Sequence, residues 1–475
     1  MPENRTPVKN PGTIVRRFLA EGTWTASSAF HPGGGELADN GADSAVYRAR
    51  TGDYVIPGSS LAGCCRSLAA RLTSRSAQEF RSGPETAAVA DLFGGKYSSL
   101  IRFSDGRVQL PPNSNGAALR DGVRIDLASG IAADDARYNF EVLPRGSDIP
   151  FRIVLEIPRR LSVTEGRGLL NAFALLLGEI GRGGLQIGAK SRKGLGYGKV
   201  ASWHIRRFEM SSPVHASAWI LGSDGGETVP LDSMLDPESP ARDSWFTIEL
   251  ALRLKTSVLL RSAGHDPNLP DFVQLTEGGQ PLVSGTSWAG VLRGRVETIV
   301  NTITGTRGPG SEGRQRSEKM FGPLKTGRGR QTKTLHAGRV WVEEMPLSAT
   351  KLEVQSRVAI DRFTGGSLEA ALFDEAPAWP DASATHGLLR IRCEMRGDDD
   401  SSHCALLMQA VKDIWTGDVA VGGESSVGRG VWQGVSCRFR YPGLEPLVVH
   451  STGTAGGVRA EGWSAAWQKV SEVTL

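Results

Sequence analysis

The chain has 475 residues, 39% hydrophobic and 22% charged, with a formal net charge of +4. That length favours two or three domains over one, and no apolar run approaches the roughly 20 residues a membrane-crossing helix needs. The charge is modest and carried mostly by arginines beside glycine-rich turns, which biases toward an anionic partner without establishing one.

The opening MPENRTPVKNPG is polar and has no signal-peptide core, and five cysteines fit no extracellular disulfide framework, so a reducing cytoplasm is expected. TIVRRFLAEGTWTAS then has strand character, and Asp43 follows in the loop NGADSAVYRAR. The stretch VIPGSSLAGCCRSLAARL (55–72) reads as a strand end, a small-residue turn and a helix. A P-loop requires G-x-x-x-x-G-K-[ST] and a nucleophile elbow G-x-S-x-G; the turn has neither spacing. Two readings remain: Ser59 or Ser60 caps the helix, or the helix start also holds a phosphate on its unpaired N–H groups. Cys64 and Cys65 read as helix packing.

A long irregular stretch separates this helix from FRIVLEI (151–157), a strand, and GLLNAFALLLGEI (168–180), a helix with a leucine-rich face. IGAKSRKGLG (187–196) is a glycine-rich turn with Lys190, Arg192 and Lys193, and strand character returns through 194–210. Residues 211–244 are rich in turn formers and read as a boundary. Beyond it, WFTIELALRLKTSVLL, HGLLRIRCEM (386–395), HCALLMQAVKDIW (403–415) and GVWQGVSCRFRY (430–441) give strand, strand, helix and strand. The tail 450–475 reads as a short helix or strand packed on the second unit.

The chain repeats itself. PGSSLAGCCR (57–66) returns as SGTSWAGVLR (284–293), DLFG (91–94) as KMFG (319–322), VRID (123–126) as VAID (358–361), and IGAKSRKGLG as VGGESSVGRG (421–430). The four landmarks keep their order, which points to duplication of a unit of about 230 residues. The expected organisation is a first unit over 1–212 with an insertion near 94–150, a linker over 213–244, a second unit over 245–448 with an insertion near 322–385, and an extension over 449–475. Strands separated by two helices per unit predict an α+β fold, two tandem ferredoxin-like domains with helices behind an antiparallel sheet.

The repeat preserves residues as well as turns. Gly63 within a helix costs about 1 kcal/mol relative to alanine, and its return as Gly290 predicts close approach by a packed strand or a ligand backbone. Asp43 and Asp271 each precede a small-residue turn; such a carboxylate either orients a ribose 2′-hydroxyl, holds a divalent cation, or is a solvated loop residue. Asp126 and Asp361 read as hairpin-positioning residues. No zinc spacing joins the histidines and cysteines, and His31 and His265 are acid–base candidates in loops before the turns.

D-x-x-x-x-R ahead of Y-V-I-P-G-S-S-L-A-G-C-C-R, then F-E-V-L-P-R-G and G-G-L-Q-I-G-A-K-S-R-K-G-L-G-Y-G-K-V, resembles the repeat-associated mysterious protein (RAMP) superfamily, specifically backbone subunits of type III CRISPR effector complexes. The second half resembles the same family, as in the fused two-unit proteins of type III-D systems. The resemblance implies RNA-recognition-motif-like palms with thumb and finger insertions, lined up along a CRISPR guide RNA. It further implies cleavage of complementary target RNA by a loop aspartate with Mg2+ or Mn2+, which places Asp43 and Asp271 as catalytic and metal-binding. Guide-binding positions fall on Arg48, Ser59, Ser60, Arg66, Lys190, Arg192, Lys193, Thr286, Ser287, Arg293, Arg362, Ser425, Ser426 and Arg429. Implied partners are the guide RNA, the target RNA and the other backbone, large and small subunits of the effector. The second unit departs from the family pattern: it has S-G-T-S for P-G-S-S, fewer lysines in its glycine-rich loop, and no arginine after Asp271 to match Arg48. The alternatives are a non-catalytic guide-RNA scaffold and a ribonuclease that processes the guide precursor.

Overall fold

A computed structural model describes residues 12–460 except 35–41, 74–86, 96–97, 113, 127–131, 239–242, 264–269, 309, 324–335, 382–385, 398–399 and 453–458. His265 and most of the expected C-terminal element therefore lie outside the described residues.

The first unit is built around β1 (Ile14–Ala26) and α1 (Gly58–Thr73), followed by α2 (Ala87–Phe93) and β2 (Ile101–Phe103). A hairpin of β3 (Ala118–Ile125) and β4 (Ala132–Val142) comes next, then β5 (Asp148–Pro158), α3 (Val163–Gly181), β6 (Gly198–Val200) and β7 (His204–Glu209). β1 pairs antiparallel with β5, from Ile14 opposite Pro158 to Thr25 opposite Asp148, and with β7 on its other edge. The order β7-β1-β5-β2 is that of a ferredoxin-like sheet, with the first strand central because it is bonded on both sides. Alternation along β1 turns Phe18, Ala20, Trp24 and Ala26 toward one core, shared with Leu61, Cys65 and Leu68 of α1 and Phe173, Leu176 and Leu177 of α3. α3 starts where Ser162 accepts the Glu165 N–H and Glu165 reaches back to the Ser162 N–H, a capping box.

The opposite face of this sheet is also covered. α4 (Pro213–Leu221) sits in the stretch read as a linker and packs Ala218 and Trp219 against Leu19, Val154 and Phe208, with the Arg17 guanidinium 4.8 Å from the Trp219 ring. Beyond it, the Asp236 N–H donates to Asn171 of α3. Strand β2 likewise lies inside the stretch read as an insertion; three residues are too few to show a period.

The second unit repeats the plan with β8 (Trp245–Leu254), β9 (Arg261–Ala263), β10 (Phe272–Gln274), α5 (Gly285–Thr304), α6 (Glu312–Phe321) and β11 (Val340–Val342). β12 (Gln355–Ile360), β13 (Ser367–Ala376), β14 (Gly387–Glu394), α7 (Asp400–Thr416), β15 (Trp432–Arg440) and β16 (Leu447–Thr452) complete it. The main sheet runs β11-β14-β8-β15-β16, and a separate four-stranded sheet runs β9-β10-β13-β12. Phe246, Ile248, Leu250, Leu252 and Leu254 alternate into a core with Trp288 and Leu292 of α5 and Leu407, Met408 and Ile414 of α7. Compactness assigns residues 119–140, most of the β3–β4 hairpin, and 192–194 to this second unit, and 213–244 to the first.

Candidate nucleic-acid interface

The two glycine-rich turns close by the same hydrogen bonds. Ile187 N–H donates to Gly196 O at 2.9 Å, and Val421 N–H to Gly430 O at 2.9 Å. Gly196 N–H reaches Ala29 O and Gly430 N–H reaches Ser257 O; Ala189 N–H reaches His31 O and Gly423 N–H reaches Leu259 O. Gly196 and Gly430 adopt φ of +79° and +73°, and a Cβ at either would fall on the carbonyl of Ile187 or Val421, so glycine is required twice for one reason. At the apex, Lys190 and Glu424 occupy the same left-handed conformation, φ 58° and 60°. One backbone device therefore presents a cation in the first copy and an anion in the second.

In the first unit that device is joined to the segment carrying Asp43. The His31 ring, 3% exposed, bonds Glu141 O through Nδ1 at 2.6 Å and Ser44 Oγ through Nε2 at 3.0 Å, while its carbonyl holds Ala189 of the turn. Glu141 accepts the Val46 N–H at 3.0 Å and an Arg48 N–H at 3.0 Å. Asp43 is exposed, one residue before the Ser44 that His31 fixes. Burial lowers the His31 pKa, opposed by its bond to Glu141 and aided by Lys190, so the ring is a neutral strut between Asp43's segment and the turn. Buried as it is, His31 positions rather than titrates against solvent. Glu141 was visible in F-E-V-L-P-R-G without a role; its burial and three-way bonding supply one.

The second unit replaces this arrangement. Leu259 holds the turn through its carbonyl where His31 does, and Gln274, buried, donates to the Leu275 and Leu282 carbonyls. Asp271 is exposed, and its Oδ2 accepts the Asp374 N–H at 2.9 Å. Arg429, expected to contact RNA, has a side chain only 4% exposed: Nε donates to Glu424, Nη1 to Ser257, and Nη2 to Gln355 and Glu375. It is a structural residue. Arg261 and Arg357, absent from the sequence-based set, also bond Glu424, both at 2.8 Å. Burial and the adjacent Glu424 push the Glu375 pKa up; for Glu424, desolvation is outweighed by Glu375 and the surrounding guanidiniums, which hold it low.

The helix starts correct another expectation. α1 begins at Gly58, whose N–H is capped by Asp105 Oδ1 at 2.7 Å, so Ser59 and Ser60 lie inside the first turn, exposed, and neither is the cap. In α5 the cap is Ser284, which accepts the Ser287 N–H and also bonds the Thr286 and Ser287 hydroxyls. Gly63 and Gly290 are exposed with nothing within 4 Å of a would-be Cβ, which removes the packed-strand reading and leaves an open helix surface in both copies. Arg66 and Arg293 follow three residues later on the same helix face. Arg66 donates to Gly94 O at 3.4 Å. Arg293 has Nε and Nη2 shielded from solvent with no hydrogen-bond partner among the described residues, and burial, reinforced by Arg314 and opposed by Glu318 and Glu297, lowers its pKa to about 10. Lys193, part of the second compact unit, is lowered by desolvation and by Arg293. Crowded cations of this kind are relieved by an anion.

Within the same unit the Arg192 guanidinium lies 4.9 Å from the Trp341 ring, and Arg120 is buried against Glu344 and 3.7 Å from Glu277. Ser425, Ser426 and Arg362 are exposed; Asp361 accepts the Phe363 N–H at the β12–β13 turn, the hairpin role expected of it. Cys65 is fully buried and Cys64 partly so, both packed in the first core. Among the described residues no group of three or more His, Cys, Asp or Glu converges on a metal position, and no helix is long and apolar enough to cross a membrane.

Two ferredoxin-like domains, each offering a glycine-rich turn and a helix face with an arginine, define a duplicated RNA-binding palm. The chain belongs to the RAMP superfamily, whose sequence profile matches residues 24–199 and 251–431. That membership implies a CRISPR-associated RNA-binding subunit. No curated protein matches the chain.

Proposed function

We propose that the protein is a guide-RNA-binding backbone subunit of a type III CRISPR effector complex that cleaves complementary target RNA at Asp43 and Asp271. The observation that carries this reading is the duplicated placement of an exposed aspartate on the segment beside a glycine-rich turn, positioned by a hydrogen bond in each unit: His31 to the adjacent Ser44 in one, the Asp374 N–H to Asp271 itself in the other. Such a surface recognises phosphate and sugar, while base pairing supplies sequence choice.

A divalent cation fits these residues in one way. Asp271 Oδ1 makes no hydrogen bond among the described residues, and Mg2+ is commonly held by one or two carboxylates together with substrate phosphates. Bound there, Mg2+ or Mn2+ would offset charge developing on the scissile phosphate. Asp43 would hold one such ion in its unit and Asp271 another in its own; the rest of the chain's task is to align a 2′-hydroxyl with its phosphate, an effect of positioning.

The test is cleavage mapping in the assembled effector with complementary RNA. Asp43→Ala and Asp271→Ala should each abolish a distinct subset of cuts, and chelation should abolish all. Unchanged cutting in the double variant leaves a guide-RNA scaffold as the function.

A further inference from the structure

The most heavily bonded ionic cluster in the second unit has no counterpart among the described residues of the first. Arg261 lies on β9 opposite Gln274, and Arg357 on β12 opposite Phe373 of β13. These are the outer strands of the four-stranded sheet whose β10 begins one residue after Asp271. Glu424 sits between the two arginines: Oε1 accepts from Arg261 Nη2 and Oε2 from Arg357 Nη1, each at 2.8 Å. Glu375, fully buried, completes the cluster beneath them.

The three arginines of the cluster are used differently. Arg429 spends Nε, Nη1 and Nη2 on protein acceptors and is hidden. Arg261 and Arg357 have side chains 44% and 34% exposed, and among the described residues each makes its hydrogen bonds through one terminal nitrogen. A guanidinium has five N–H donors in a fixed fork, so each keeps an unoccupied edge. Among the described residues, three guanidiniums of this cluster face two carboxylates, an excess of one positive charge. Both arginines are tied to the residues that fix Asp271: Arg261 stacks 4.5 Å from the ring of Phe272, the next residue, and Arg357 is paired beside Asp374, whose N–H holds the Asp271 carboxylate.

We infer that Arg261 and Arg357, spaced by Glu424, form a clamp for an RNA phosphodiester next to Asp271. It replaces the lysine-bearing turn of the first unit, so the second unit grips RNA from its small sheet. The inference rests on the proposed RNA-binding function and adds positioning residues to it; Glu424 is the spacer, at the turn position equivalent to Lys190 of the first unit.

The experiment uses the full chain and a synthetic guide RNA annealed to a fluorescein-labelled complementary RNA, titrated over a range of salt. Arg261→Ala/Arg357→Ala should weaken binding about tenfold or more and reduce the slope of log affinity against log salt by about one to two. Arg261→Lys/Arg357→Lys, which keeps charge and folding contacts but loses the fork, should restore the slope and recover only part of the affinity. Scanning neutral methylphosphonate linkages along the target strand should find a position that weakens wild type and leaves the double alanine variant unaffected; a general folding defect cannot produce that pattern. The clamp is overturned if a folded double variant, verified by its thermal transition, binds with wild-type affinity and slope, or if every methylphosphonate weakens both proteins alike. Cleavage mapping separates this from the catalytic assignment. Wild-type cutting by Asp271→Ala alongside weakened binding by the double variant removes the cutter and keeps the clamp; the opposite pair of results keeps the cutter and removes the clamp.

Discussion

The two units share a strand order, a pair of helices and the hydrogen bonds that close their glycine-rich turns, yet they surround those turns with opposite chemistry. At the apex, Lys190 and Glu424 have the same left-handed backbone and opposite charge. Beneath, a neutral histidine and one glutamate hold the first turn, whereas two glutamates and three arginines hold the second. The outer faces of the sheets differ too: Leu19, Val154 and Phe208 lie under α4 in the first unit, while Thr247, Glu249, Arg390 and Arg392 occupy that face in the second, with Arg392 stacked 5.2 Å from Trp245. Duplication has kept what the backbone requires and freed what the side chains do.

The strongest test of the shared part is a glycine substitution made in both copies. Gly196→Ala and Gly430→Ala each combine a positive φ with a Cβ placed on a carbonyl, so each should destabilise its unit by about 2–4 kcal/mol, read as separate losses in denaturant titrations. A shift in only one unit would show that the turns are not mechanically equivalent.

Next in size are changes that should touch one unit only. His31→Ala removes the strut to Ser44 and Glu141 and should slow the Asp43-dependent cuts by roughly ten- to a hundredfold while leaving those of Asp271 intact, measured in single-turnover cleavage. Glu424→Lys leaves Arg261, Arg357 and Arg429 with a single shared carboxylate and should destabilise the second unit by about 1–3 kcal/mol, seen as a lowered thermal transition. Lys190→Glu reverses the charge at the apex of the first turn and should weaken RNA binding and flatten its salt dependence.

The smallest expected effect is the pH dependence that His31 contributes to the first unit. His31 has a folded pKa below its unfolded value of about 6.5, so the unfolded chain binds the proton more readily. Its contribution to stability is therefore complete above that value and declines as pH falls below it. Thermal melts of wild type and His31→Gln between pH 5 and 8, about the range in which histidine titrates, should converge at the acid end.

Much of this was legible beforehand because period and repetition are local properties. The helix at 168–180 appears as Val163–Gly181 and the strand at 151–157 as Asp148–Pro158, since leucine spacing and alternation report a buried face wherever it packs. The short strands β2 and β11 were folded into insertions because three residues show no period, and α4 was read as linker because turn formers flank it. Asp43 and Asp271 could be paired by their place ahead of matching turns. Arg429 was misassigned because a glycine-rich context says that a cation is near a turn, without saying which way it points; the partners that bury it come from 257, 355, 375 and 424.

By itself, then, the sequence determined the duplication, the two ferredoxin-like cores, the glycines that only a left-handed turn can use, and the aspartates placed before each turn. These follow from spacing along the chain, which backbone geometry converts directly into structure. Only the tertiary structure decided which charges are spent inside the protein and which remain to meet a ligand. Charge pairing depends on distance in space: Glu375, which shares in neutralising Arg429, is 54 residues away, and Glu344, which pairs with buried Arg120, is 224 away.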